Sequence, residues 1–428
     1  MAKTPVKFLT PSSVKLSAKP TLEFKKLLLR ILSKPTSPFC ESWIQEEFKL
    51  FFREHKLPYY EDAFGNLWLG VSKSSEIPKT HLLFVAHMDH PGFAINRWTQ
   101  KKKAGNWSCE AKWFGGGPTK ILGHRVKVFP TRSHPLWKDF QNSDIPHTSH
   151  LKGRITHVKP GTRSVATARI EVPASALSSI FLEAKAPGLD RFFWGACLDF
   201  QELDYSGTLS FATGGRLRTK SADDLVGGCL AVQAFLEARE ENTSSTRGVA
   251  VLLSRAEENG FHGTLAALRS QKLNPRYTVM VSIETSSQLP GAELGKGPVI
   301  RLGDRATIFS PYATRFVQSV AGKLPKLKFQ RRVMDGGSCE ATAFNSFHFE
   351  VAGISIPLGG YHNVGKDLRA IPEEVSLEDV LSAKFFVKTL MQESRFLTRK
   401  TWRTDTFKEM RKNLLKSNDE YLKMLRDS

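Results

Sequence analysis

Two stretches near the start of the chain, Leu22 to Leu32 and Cys40 to Phe52, repeat apolar residues at helical spacing and predict amphipathic helices. Asp62 to Gly70 then reads as a turn leading into a strand. The apolar run from His81 to Ala86 has the length of a buried strand and stops at the polar cluster His87-Met88-Asp89-His90. Farther along, Leu225, Cys229, Val232 and Leu236 recur at helical spacing behind Ser221 and Asp223, which predicts a helix starting near Asp223 with a side-chain cap. Three more apolar runs, Gly248 to Leu253, Tyr277 to Ile283 and Val351 to Pro357, each stop at polar residues: Glu257-Glu258, Glu284 and Gly359-Gly360-Tyr361-His362.

Strands alternating with helices predict an α/β fold with a mostly parallel central sheet flanked by helices. Between about Asn96 and Gly215 the pattern changes to short alternating segments split by Gly116-Gly117-Pro118, Gly153, Pro160-Gly161 and Pro187-Gly188, the marks of an inserted β-rich domain. The expected organisation is therefore a flexible basic tail over 1–21, a catalytic domain formed by 22–95 and 216–394, the insertion over 96–215, and a C-terminal segment over 395–428. That last segment holds ten Lys or Arg against five Asp or Glu, with Phe407, Met410, Leu414, Tyr421 and Leu425 near heptad spacing, and reads as a basic amphipathic helix. A surface helix packed on its own domain or on a twin subunit is the ordinary role, with membrane or nucleic-acid contact as the alternatives.

A chain of 428 residues exceeds one comfortable core, which agrees with two units or one unit carrying an insertion. Apolar residues at 40% and charged residues at 24% are ordinary for a globular protein and exclude a mainly disordered chain. No apolar run approaches the length of a membrane span, and Met1 to Thr21, with four lysines, lacks the apolar stretch of a secretory signal. The five cysteines are odd in number, scattered and free of Cys-x-x-Cys spacing, so they read as reduced thiols and suggest a cytoplasmic protein. A net charge of +20 allows attraction to nucleic acid, anionic membrane or acidic peptides without choosing among them.

In an open α/β sheet, ligands gather at the carboxyl ends of the strands, where all the polar clusters above fall. Hydrolysing an amide at neutral pH needs an activated water and positive charge near the developing oxyanion, and two metal ions supply both. Such a site wants mixed imidazole and carboxylate ligands with one bridging carboxylate. His87 can ligate while Asp89 takes the other ring N–H, although a His and an Asp at a strand end also serve as an ordinary turn. Asp223-Asp224 at a helix head has an equally ordinary role in capping. Adjacent Glu257 and Glu258 say more, because neighbouring carboxylates beside a core repel unless cations neutralise them; one can ligate while its neighbour acts as a base. Glu284 emerges from an apolar strand and needs a partner, and His362 follows a glycine-rich turn.

In order and spacing these residues resemble the dinuclear metallo-aminopeptidases of the glutamyl aminopeptidase and tetrahedral aminopeptidase family, once also labelled cellulase-like endoglucanases. The similar segments are Asp62-Ala63-Phe64-Gly65-Asn66, Ala86 to Phe93, Ala222-Asp223-Asp224, Glu257 to Gly263 and Ile354 to His362, and the likeness spans roughly Leu22 to Gln392. The resemblance implies two divalent ions per chain, zinc first with cobalt or manganese as alternatives. It puts Asp223 between them, His87 and Glu284 on one, and Glu258 and His362 on the other. It makes Glu257 the general base, with Asp89 orienting His87, and implies removal of amino-terminal residues from peptides by a homo-oligomer.

The sequence also departs from the family. Glu284 stands where aminopeptidases often have Asp, Gly336-Gly337-Ser338-Cys339-Glu340 replaces a Gly-Gly-Thr-Asp stretch, and Asn363 follows the last histidine where Ser is usual. A deacetylase or carboxypeptidase on the same scaffold is therefore the first alternative. A basic nucleic-acid-binding protein is the second, and no recognisable nucleic-acid motif supports it.

Overall fold

The computed structural model describes residues 20–100, 106–132, 150–173, 194–200, 203, 211–212, 215–408 and 410–415. The expected N-terminal tail, 1–21, lies outside these residues up to position 19, and so do Pro187-Gly188, Tyr421 and Leu425. Helix α1 (Leu22–Leu32) begins where the Thr21 hydroxyl accepts the Phe24 N–H, with Glu23 in its first turn and Arg30 in its last, each favourable to the helix dipole. Helix α2 (Ser42–Glu54) follows. Phe24, Leu27, Leu28 and Ile31 of α1 and Ile44, Phe48 and Phe52 of α2 enter one large core.

The main sheet contains β1 (Tyr59–Glu61), β2 (Leu67–Leu69) and β3 (Leu82–His87). It continues after a long insertion with β10 (Phe211–Ala212), β11 (Arg216–Thr219), β12 (Val249–Ser254), β13 (Val279–Ser287), β14 (Val299–Asp304), β15 (Gln330–Met334), β16 (Glu350–Gly359) and β17 (Glu373–Ser376). Its central order is β12-β3-β13-β16, and these four strands run parallel. The flanks, β2 on β12 and β14 and β17 on β16, pair antiparallel.

Both faces of the centre are covered, so its strands are mainly apolar until they reach their carboxyl ends. Phe84, Val251, Val281 and Ile354 face the core shared with α1, α3 (Ala222–Glu241), α5 (Pro311–Gly322) and α7 (Leu377–Glu393). Val85, Leu252, Met280 and Val351 face the other core, shared with α4 (His262–Ser270) and α6 (Glu340–Ser346).

The insertion is a closed barrel of β4 (Gly92–Gln100), β5 (Trp107–Phe114), β6 (Arg125–Pro130), β7 (Leu151–Pro160), β8 (Val165–Val172) and β9 (Trp194–Leu198), in the order β4-β5-β8-β7-β6-β9. Its own core holds Phe93, Trp113, Val126, Ile155, Ile170 and Trp194, and closure leaves no free strand edge. Trp43 of α2 donates its indole N–H to the Pro130 carbonyl at 3.1 Å and so ties the barrel to the helical layer. The α/β class, central sheet and inserted β-rich domain are those expected from the pattern.

Three local expectations need correction. Ser221 makes no side-chain cap for α3: Asp223 and Asp224 have non-helical backbones, and the Asp223 N–H donates to the Glu373 carboxylate at 3.0 Å. Glu284 does not end its strand, since β13 pairs with β16 as far as Ser287. The C-terminal segment is not one helix from Arg395: a 3₁₀ turn (Ser394–Thr398) precedes α8 (Trp402–Thr406), where Trp402 turns inward to pack edge-on against Tyr312.

Candidate metal centre

Parallel register places the site. His87, the last residue of β3, is level with Ser254, the last of β12, and the chain leaves β12 through Arg255 and Ala256 into Glu257 and Glu258. Glu284 of β13 is level with Ser355 of β16, and the turn beyond β16 carries His362. Asp223 enters from the kinked head of α3. The carboxyl ends of neighbouring parallel strands thus bring together five residues that are up to 275 positions apart in sequence, from His87 to His362.

The side chains form two triads that share Asp223. Potential ligand atoms of His87, Asp223 and Glu284 lie within 4.8 Å of one another, as do those of Asp223, Glu258 and His362. His87 Nε2 is 3.5 Å from Asp223 Oδ1, and His362 Nε2 is 3.4 Å from Asp223 Oδ2, so the two oxygens of one carboxylate face different imidazoles. His362 Nε2 is also 3.2 Å from Glu258 Oε1. Neither of these last two atoms has a hydrogen-bond partner among the described residues, although both are buried. Buried polar atoms without partners cost free energy, and a cation between them removes the cost. The nitrogen and oxygen donors suit zinc, cobalt or manganese, so the residues fit a divalent ion.

Asp89 does not act on His87 as the tripeptide suggested. The ring Nδ1 faces the Asp89 backbone carbonyl at 3.1 Å, and the Asp89 carboxylate lies farther away, at 3.6 Å. A carbonyl can only accept, so Nδ1 carries a proton, and it is the neutral ring that presents its Nε2 lone pair to the triad. The Asp89 carboxylate accepts the backbone N–H groups of Glu257 at 2.9 Å and Glu258 at 3.1 Å. Left-handed backbones at Ala256 (φ +48°) and His362 (φ +54°) flank the same cluster, a cost that surrounding contacts must offset.

Electrostatics follow from crowding acids in a dry place. Burial, reinforced by Glu340, Glu258 and Asp89 and opposed by His87, holds Glu257 well above the usual carboxylate range. Burial, with Glu340 and Cys339, does the same to Glu284, and burial raises Asp89 to about 7. Burial alone would also raise Asp223, but the His362 and His87 imidazoles facing its two oxygens take it below the usual range. For His87 and His362 burial opposes protonation and is overcome by the carboxylates around them, so both lie well above the ordinary imidazole value.

Three further residues belong to this cluster. Glu340, at the head of α6, groups with Glu257 and Glu284, accepts the Ser254 hydroxyl at 2.9 Å on one oxygen and leaves the other without a partner among the described residues. Glu373 accepts the N–H groups of Asp223 and His362 at 3.0 and 2.9 Å. Tyr361 stacks on His362 with ring centres 3.8 Å apart. Glu340 lies in the stretch that departs from the family pattern, which was a signal; Glu373, in an ordinary acidic doublet, gave none.

A sheet with a parallel centre, His and carboxylate residues at its strand ends and a barrel inserted after the first of them defines an α/β fold of the zinc-peptidase-like class. Residues 203–369 match the model of the M42 glutamyl aminopeptidase family, so the resemblance read from the sequence holds and supports a peptidase, a hydrolase. The match takes in Asp223, Glu257, Glu258, Glu284 and His362. The fold is similar to that of the TET1 peptidase of Pyrococcus horikoshii, at 23% identity over 86% of this chain and 99% of that one, with a TM-score of 0.60. It is similar also to an aminopeptidase from the archaeon Desulfurococcus kamchatkensis (20% identity, 88% and 96% covered, TM-score 0.63). An endoglucanase from Thermotoga maritima is a third such structure (18% identity, 87% and 98% covered, TM-score 0.53).

Proposed function

We propose that this protein is a two-metal aminopeptidase that removes amino-terminal residues from peptides. The observation that carries the reading is the pair of triads sharing Asp223, His87–Asp223–Glu284 and Asp223–Glu258–His362, each within 4.8 Å. In this reading His87 and Glu284 would hold one divalent ion, Glu258 and His362 would hold the other, and Asp223 would serve both. Bound there, two such ions, zinc first and cobalt or manganese as alternatives, would supply Lewis-acid polarisation of the scissile carbonyl and a water of lowered pKa.

Glu257 is the general base and acid. Its carboxylate comes within 3.9 Å of His87 Nε2, and its backbone N–H is pinned by Asp89. Burial keeps its proton affinity high, which suits a group that takes a proton from the attacking water and returns it to the leaving amine. Asp89 is a positioning residue for the Glu257-Glu258 turn and, through its backbone carbonyl, for His87. Residues 22–95 with 216–394 form the catalytic unit, and 96–215 the insertion.

Peptides are the proposed substrates. The Pyrococcus horikoshii peptidase can assemble into a tetrahedron or a large octahedral shell, which supports a homo-oligomer here as well. No described helix is long and apolar enough to cross a membrane, and all five cysteines are free, which supports a cytoplasmic setting. Glu284, where aminopeptidases often have Asp, keeps a deacetylase or carboxypeptidase as the second reading. Hydrolysis of aminoacyl-anilides, N-blocked peptides and N-acetyl amino acids, before and after chelation and metal readdition, separates the two. Cleavage confined to blocked or acetylated substrates would overturn the aminopeptidase reading.

A further inference from the structure

The two triads have different surroundings. His87, Asp223 and Glu284 come from β3, the head of α3 and β13, all parts of the main sheet layer. Glu258 and His362, in contrast, abut the barrel, at the turn Gly115-Gly116-Gly117 that follows β5. A Cβ added at Gly115 would stand 3.3 Å from Glu258 Oε2, and one added at Gly116 would overlap His362 Nδ1. One added at Gly117 would come within 2.5 Å of the Trp113 ring. Gly115 also has φ +87°, which favours glycine.

This turn is held from within the barrel. The Trp113 indole N–H is shared between the carbonyls of Gly115 at 3.1 Å and Gly116 at 3.2 Å, and the Ser164 hydroxyl donates to Gly115 O at 3.3 Å. On the other side, the His362 ring has Tyr361 stacked on its face and Gly116 at its Nδ1 edge. The ring therefore has little room to swing, and its Nε2 stays aimed at Asp223 and Glu258.

Resting on the two-metal reading above, we propose that the Gly115–Gly117 turn is a positioning element for the Glu258–His362 side of the centre, so that the barrel controls the affinity of one ion and not of the other. The turn works as a side-chain-free wall whose backbone sets the imidazole and carboxylate it touches. Groups behind metal ligands fix ligand orientation, and their loss commonly costs about 10- to 100-fold in affinity.

The test is stepwise titration of the chelated, full-length protein with zinc by calorimetry, with metal content counted by elemental analysis. Wild-type protein should take up two ions per chain. In Gly116→Ala one binding step should stay at its wild-type affinity and the other should weaken about 10- to 100-fold. Gly322→Ala, at the end of α5 with nothing near the added methyl, should titrate as wild type.

If Gly116→Ala fails to fold, Ser164→Ala decides, because it leaves the Trp113 ring in place and removes the hydroxyl that donates to the Gly115 carbonyl; weakening of the same single step is expected. Two unaltered steps, or two steps weakened alike, overturn the inference while leaving the two-metal reading intact. A wild-type protein that binds no divalent ion defeats that reading and the inference with it.

Discussion

The carboxylate of Asp89 receives the backbone N–H of Glu257 at 2.9 Å, and its other oxygen receives that of Glu258 at 3.1 Å. One buried side chain thus sets where both acidic residues begin. Asp89→Asn puts an NH₂ group against one of two backbone donors, so one hydrogen bond is lost and the turn shifts. The expected result is a fall in kcat of about 10- to 100-fold with KM little changed, since substrate contacts remain. Steady-state kinetics on an aminoacyl-anilide reads it.

Glu257→Gln keeps the shape of the side chain and removes its basicity. Turnover should fall by about 10²- to 10⁴-fold while metal content stays near that of the wild type. Asp223→Ala should do the reverse in order of cause, emptying the centre first and losing activity as a consequence, because both imidazoles face its two oxygens at 3.5 and 3.4 Å. Elemental analysis of the two purified variants distinguishes base from ligand. A metal-depleted Glu257→Gln, or a fully loaded Asp223→Ala, would count against the roles assigned.

Much of this arrangement was legible in the sequence, and the reason is physical. Short apolar runs over β3, β12, β13 and β16 are what strands buried on both faces require, and parallel strands put their chemistry at one edge. Five separated polar residues could therefore be placed together before any coordinates. Less legible were features set by tertiary partners. Glu373 outcompetes Ser221 for the head of α3, a contact 150 residues away that no local pattern encodes. His87 takes its tautomer from the Asp89 carbonyl, a backbone group that sequence cannot point. The C-terminal helix starts only at Trp402, which is buried against Tyr312, a tertiary contact that heptad spacing does not encode.

Without metal, stability should fall as pH rises. Glu257 and Glu284 are raised by burial, so between their unfolded value of about 4.3 and their folded values the unfolded chain loses protons that the fold retains. Raised His87 and His362 act in the same direction: their stabilisation is complete below about 6.5 and is lost as pH climbs through their folded values. Asp223, lowered, opposes this only in strong acid, whereas His81, His90 and His150, lowered by burial to about 4, about 3 and about 3, oppose it up to their unfolded value of about 6.5. Above that value the raised groups act alone, so the chelated protein should melt at a higher temperature at pH 7 than at pH 9, and added zinc should raise Tm more at pH 9, where fewer protons must leave the ligands. Melting curves across that range check both statements, and a chelated protein that gains stability from pH 7 to pH 9 would contradict them.

Glu373 offers the sharpest separation of positioning from ligation. It is in neither triad, yet it accepts the backbone N–H of Asp223 at 3.0 Å and of His362 at 2.9 Å, the residue that both triads share and one residue of the second. Glu373→Ala leaves two donors without their acceptor at a residue that is itself fully buried, and each stranded donor costs roughly 1–3 kcal/mol. Glu373→Gln retains one acceptor oxygen and turns an NH₂ toward the second donor, so about half of that loss is expected. Chemical denaturation should rank wild type above Glu373→Gln above Glu373→Ala. Zinc should restore part of the difference by binding the folded form alone. Were both variants as stable as wild type, water would have to be satisfying those two N–H groups, and Glu373 would lose its place as the anchor of the centre.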